Sequence, residues 1–201
     1  MTEFSDTASV PWSAGPRTLL REFATSQLVV AEPGAGMEIL AEAADDGFVV
    51  LSERGIGPVG LVRTVDFTGG ASVPAGVLVT APNTLFGALM HPGTMSLLDL
   101  DDDPVGIVLA GPSGVPEAVV PQEAIDLFLA TSPPGARRVL GPGGEAGDNR
   151  FPALPGSPPL LYRVRCREPG CGRFVELPEY NRLAPPQCAG DGVPPHVVRL
   201  R

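Results

Sequence analysis

Lysine is missing from this 201-residue chain, and all 14 of its basic residues are arginine. Schiff-base chemistry, a phosphate-binding loop with its lysine, and a serine–lysine dyad are therefore excluded. Aromatic residues make up only 5%, so a core must rest on Val, Leu, Ile and Ala. No stretch approaches the ~20 consecutive apolar residues of a membrane span. Met1 to Ser13 is polar and acidic and lacks the basic-then-apolar order of a secretory leader. Cysteine is limited to three, an odd number where secreted disulfide frameworks use pairs. Together these features predict a cytoplasmic protein with no membrane contact.

Positive charge is scarce overall and unevenly placed. The chain carries −9. Residues 161–201 hold seven Arg against four acidic residues, a balance of +3, so the other residues carry −12. Such a body is repelled by phosphate backbones and anionic lipid, and only the C-terminal segment favours an acidic partner. What is abundant is Gly (25) and Pro (24), gathered into segments that read as turns and linkers. Four regions follow: a flexible arm over 1–16, a folded pair of repeats over 17–131, a Pro/Gly-rich linker over 132–160, and a Cys/His knuckle over 161–201.

Within 17–131 the periodicity predicts an α+β fold. Leu19, Leu20 and Phe23 share one face of a short helix over 17–27. A strand, Gln27 to Ala31, precedes a helix marked by Met37, Leu40, Ala41 and Ala44, which stops at Asp46-Gly47. Two apolar runs, Phe48 to Leu51 and Val59 to Val62, flank a Gly-rich turn and predict a hairpin. The order then recurs: a strand from Val77 to Thr80, a helix starting at Leu85 and broken by Pro92-Gly93, a hairpin from Val105 to Val120, and a helix with Pro121 in its first turn. Gly57 to Phe67 aligns with Val115 to Ile125 at a shift of 58, and Ala31 to Gly34 with Thr80 to Asn83 at a shift of 49. A unit of this kind cannot bury its sheet face alone, so the two copies are expected to pack together.

The hairpin of the first copy ends in Gly60-Leu61-Val62-Arg63-Thr64-Val65-Asp66. This stretch resembles the Gly-hydrophobic-hydrophobic-Thr/Ser-x-x-Asp pattern of the CBS-domain pair, or Bateman module. The second copy, Ala118-Val119-Val120-Pro121-Gln122-Glu123-Ala124, keeps only the hydrophobic pair. The resemblance implies tandem β-α-β-β-α repeats, pairing into a homodimer, and a cleft for an adenine nucleotide. It makes Arg63, Thr64 and Asp66 the candidate ligand-binding residues. Asp66 would accept from ribose hydroxyls, and Arg63, standing where the family has a hydroxyl, would offer a guanidinium fork to phosphate. The competing reading is a purely structural module in which Asp66 merely caps a turn.

Every cysteine lies in the last region, with one of the two histidines, as Cys166-x4-Cys171-x16-Cys188-x7-His196. Thiolate and imidazole are the preferred donors of tetrahedral zinc, and a segment this short folds poorly on its own core. The spacing predicts a zinc-ribbon-like knuckle in which four protein ligands leave no position for a reacting water, hence a structural ion. The alternative is a set of reduced thiols. No nucleophile–base set is present, so the chain is read as a non-enzymatic regulatory or adaptor protein that senses a small ligand or docks a protein partner. Nucleic-acid binding through Arg163, Arg165, Arg167 and Arg173 is the second reading, opposed by the acidic body.

Overall fold

The run Phe48-Val-Val-Leu51 is apolar at every position, which a strand tolerates only when both of its faces are covered. The computed structural model describes residues 15–69, 76–98, 100, 105–131, 160–181, 183–190 and 193–198. All four side chains of that run are buried in it, with one sheet face against a second sheet and the other under a short helical turn. The arm over 1–14 and the linker over 132–159 lie outside the described residues.

The first sheet has the order β1 (Leu28–Ala31), β2 (Phe48–Glu53), β3 (Gly57–Arg63). The second contains β4 (Gly76–Thr80), β5 (Gly106–Ala110), β6 (Pro116–Pro121), β7 (Leu161–Arg165) and β8 (Phe174–Leu177), in the order β6-β5-β4-β7-β8. In the first sheet β1 is parallel to β2 and β2 antiparallel to β3; β4, β5 and β6 repeat that pattern. The registers repeat too. Val29 faces Val49 where Leu78 faces Ile107, which are shifts of 49 and 58. Each hairpin carries the same bulge: Leu51 opposite Gly60 and then Ser52 opposite Pro58, matched by Leu109 opposite Ala118 and then Ala110 opposite Pro116. The chain leaves each hairpin through an equivalent bond, from Thr64 N–H to the Gly47 carbonyl (3.0 Å) and from Gln122 N–H to the Val105 carbonyl (3.2 Å).

Strand alternation decides what each face meets. Phe48, Val50 and Leu61 of the first sheet pack on Val77, Val79, Val108, Ala110 and Val119 of the second. Fully burying side chains of this kind contributes about 1.5–3 kcal/mol each, so this layer outweighs any surface ion pair between the halves. The outer face of the first sheet is closed by Ile39 and Leu40 from the 3-10 turn Met37–Glu42. Over the outer face of the second lie Phe86, Leu89, Leu97, Ile125 and Phe128, from the 3-10 turn Phe86–Met90 and the helices α1 (Pro92–Leu98) and α2 (Gln122–Thr131).

Three expected helices are shorter or displaced. Over 17–27 there is only a 3-10 turn, Leu20–Phe23, because the backbone is drawn onto the sheet edge: Thr25 and Val119 exchange bonds of 2.8 and 2.9 Å. The helix expected after β1 is the 3-10 turn Met37–Glu42, which ends where Ala43 becomes extended. Pro92 does not break a helix. It starts α1, where its missing N–H costs nothing, and the His91 ring nitrogen accepts from Gly93 N–H at 3.2 Å. The expected boundary at residue 161 falls where β7 begins, and β7 pairs antiparallel with β4 from Gly76–Val164 to Val79–Leu161. The knuckle therefore grows out of the same sheet as the second repeat. Buried Arg163 ties it to the first sheet as well, with Nη1 donating to the Pro58 carbonyl at 2.7 Å and Nε to Glu176 at 3.0 Å. None of the described helices is long and apolar enough to cross a membrane.

Candidate metal centre

Beyond β7 the chain turns back on itself at Glu168-Pro169-Gly170 and returns as β8. Cys166 N–H donates to the Arg173 carbonyl (2.8 Å) and Cys171 N–H to the Glu168 carbonyl (2.9 Å). Gly170 and Gly172 have φ of +80° and +61°, a region that side chains with a Cβ rarely adopt. The turn thereby carries Cys171 back beside Cys166. A second hairpin, β9 (Gln187–Gly190) and β10 (Val193–Val197), sets Cys188 directly opposite His196.

The four side chains Cys166, Cys171, Cys188 and His196 meet, with all their ligand atoms within 4.8 Å of one another. Cys166 Sγ is 3.3 Å from His196 Nε2, and Cys171 Sγ is 3.5 Å from Cys188 Sγ. A bonded disulfide needs ~2.05 Å, and all three thiols are free. The S–S edges of a tetrahedral site with Zn–S near 2.3 Å come to about 3.8 Å, within the 4.8 Å spread of these atoms. The four residues are close enough to hold a metal ion, consistent with zinc.

The surroundings fit that role. His196 Nδ1 lies 2.8 Å from the Pro194 carbonyl. A carbonyl only accepts, so Nδ1 carries a proton, which leaves Nε2, once deprotonated, as the nitrogen that could bind an ion beside the thiols. Cys166 and Cys188 are buried in the same cluster as Leu160, Leu177 and Val198. Without an ion the thiols crowd one another: burial first, then Cys171 and Cys166, push the Cys188 thiol up to about 11. The Pro194 carbonyl first, and then Cys166, push the His196 imidazole up to about 9. Ionising thiols this close would set like charges against one another, a repulsion that a divalent ion bound among them would relieve.

Of the other candidate residues, only Arg63 makes a side-chain contact between the two repeats among the described residues. Arg63, at the end of β3, pairs its guanidinium with Glu123 at the start of α2 and stands 5.8 Å from the Phe48 ring centroid. The Glu123 carboxyl is held below its ordinary value, first by its own backbone N–H, with burial opposing the shift and Arg63 adding to it. Thr64 is buried and its hydroxyl has no hydrogen-bond partner among the described residues. Asp66 ends a 3-10 turn, Thr64–Asp66, and is exposed.

Comparison with protein-family models, with curated proteins and with solved structures finds no match to this chain. Its own geometry must carry any functional reading. That geometry includes two features beyond the residues singled out from the sequence. The Pro194 carbonyl orients His196 but sits in a Pro-Pro pair that reads only as a turn. Gln122 Oε1 is buried without a partner and occupies, 58 residues on, the position of Thr64. The repeat alignment pointed to that residue, but no local motif marks it.

Proposed function

We propose that this chain is a non-enzymatic regulatory or adaptor protein in which a structural zinc ion, held by Cys166, Cys171, Cys188 and His196, fixes a docking platform onto a CBS-like pair of repeats. The convergence of four protein ligands within 4.8 Å carries the reading. Three thiolates and one oriented imidazole fill a tetrahedral shell, so the ion would have no open position for a reacting water. Its work would be to join the β7–β8 and β9–β10 hairpins.

The repeats would sense a small ligand, an adenine nucleotide in the CBS-like reading, and pair into a two-fold dimer. The support is local. Thr64 Oγ1 and Gln122 Oε1 lie at equivalent places in the two halves, and both are buried without a partner. Buried polar groups are normally satisfied, so a repeated pair of orphans favours a polar occupant beside each. Nucleic-acid binding is the weaker reading, because Arg163 is spent on Glu176 and Pro58 and the residues before 161 carry −12 in total.

Native mass spectrometry of the full chain tests these statements together. The expected spectrum shows one zinc per chain, a dimer, and mass added by ATP, ADP or AMP. Carefully prepared protein with no metal overturns the structural ion. Calorimetry that detects none of those nucleotides removes the sensing role and leaves docking.

A further inference from the structure

The β7–β8 hairpin has two faces. Tyr162, Val164, Val175 and Leu177 belong to the core beneath the helices. Arg163 opposes Glu176, and Arg165 opposes Phe174, so these four share the other face. That face and the β2–β3 turn at Glu53, Gly55 and Ile56 bound a cleft of about 770 Å³. Three arginines (Arg163, Arg165, Arg173) and two glutamates (Glu53, Glu176) line it, which makes it net positive in a chain of −9. Gln187 and Cys188 also line it, so the Cys/His knuckle borders the cleft.

Arg165 is held ready rather than loose. Its Nε donates to the Gly172 carbonyl at 3.0 Å, and its guanidinium lies 5.7 Å from the Phe174 ring centroid. The residue is exposed, and a preorganised guanidinium loses little freedom on meeting a carboxylate.

The cleft also runs beside a strand edge. β8 ends the five-stranded sheet, and no further strand pairs with it among the described residues. The bond from Cys166 N–H to the Arg173 carbonyl fixes the alternation. Val175 and Leu177 direct their backbone groups to β7, while the N–H and C=O groups of Phe174 and Glu176 point to the open edge. An open edge is a template for an added strand.

We propose that this cleft docks an extended acidic segment of a partner protein, which adds a strand to β8 and sets its carboxylates against Arg165 and Arg173. The inference rests on the docking half of the function proposed above and names its partner's chemistry. The charge of the cleft selects acidic side chains, and the edge selects an extended backbone. Alternating residues of an added strand would point to the arginines.

The test uses the full chain, purified with zinc, against a random-peptide library displayed on phage. Selected peptides are expected to carry Asp or Glu at alternate positions. A labelled synthetic copy of one such peptide should bind in fluorescence anisotropy, and more weakly as salt rises. The double variant Arg165→Ala, Arg173→Ala should weaken it by about tenfold or more, while Arg21→Ala, on another face, leaves it unchanged. On binding, amide exchange should slow at Phe174 and Glu176. Native mass spectra of each variant report whether the metal is retained, so loss of the ion is separated from loss of the peptide. The proposal is overturned by a library that enriches no acidic alternation, by unchanged exchange at both amides, by equal binding of an oligothymidine, or by sedimentation showing β8 occupied by a second copy. Metal-free protein that still binds the peptide sinks the zinc reading and keeps this one.

Discussion

The two repeats share strand pairing, register and bulge, yet they are finished differently. In the first, β1–β3 is flanked by single 3-10 turns, Met37–Glu42 and Thr64–Asp66. In the second, β4–β6 has α1 and α2 above it and β7 and β8 beside it. The cause is visible in sequence. After β3, Thr68-Gly69 ends any helix at once. After β6, Gln122-Glu-Ala-Ile-Asp-Leu-Phe contains no breaker and places Ile125 and Phe128 on one buried face. A common strand scaffold is thus compatible with unequal cores, and the second half holds the larger one, including the Cys/His cluster. The asymmetry implies that damage near residue 188 is felt in the second half first.

That gives the largest expected effect. Cys188→Ser removes one ligand and leaves the remaining thiols without a closed shell. Metal-linked folding energy is then lost, and Tm should fall by about 10 °C or more. Hydrogen exchange should accelerate over 161–198 and then beneath α1, while β2 amides stay protected. Equal acceleration in β2 would break the comparison, because the halves would then open as one unit. A chelator should reproduce the pattern in the unaltered chain, and so should acid, since protons compete with the ion for thiolate and imidazole.

The strand scaffold was legible because its signals are local. Shifts of 49 and 58 in the aligned sequence are the shifts of the observed registers, and the clustered Cys and His residues named the four side chains that meet. The misread parts depend on distant partners. Leu19, Leu20 and Phe23 have helical spacing, but Thr25 is captured by Val119, far along the chain. β7 was set apart as the start of a separate knuckle, yet it completes the sheet beside β4. Nothing near Leu161 signals which strand it will join. β9 and β10 were hidden by the prolines at 185, 186, 194 and 195, which ordinarily argue against strands. A two-stranded hairpin with few partners tolerates them.

A smaller effect is expected where the halves are joined by a polar group. Arg163 is buried and spans from β7 to the Pro58 carbonyl of β3 and to Glu176. Arg163→Met keeps much of the side-chain volume but leaves a carbonyl and a carboxylate without their donor. The cost should be about 1–3 kcal/mol, measured by urea denaturation. A neutral outcome would mean that the apolar layer alone sets the angle between the sheets.

The smallest effect belongs to the other link between the halves, Arg63 with Glu123. Both side chains are substantially exposed, at 36% and 66%, so solvent screens the pair and its coupling should be only about 0.2–1 kcal/mol. Its pH dependence has a definite sign. Glu123 is held below 4.5, chiefly by its own backbone N–H and next by Arg63. Folding therefore favours the ionised form, and that contribution is present above the unfolded value and disappears as pH falls through the folded one. A double-mutant cycle with Arg63→Met and Glu123→Gln should give a few tenths of a kcal/mol at neutral pH and nothing in acid. Coupling several times larger would assign the joining of the repeats to charge. The expected small value assigns it to Phe48, Val50 and Leu61 pressed against Val77, Val108 and Val119, which titrate at no pH.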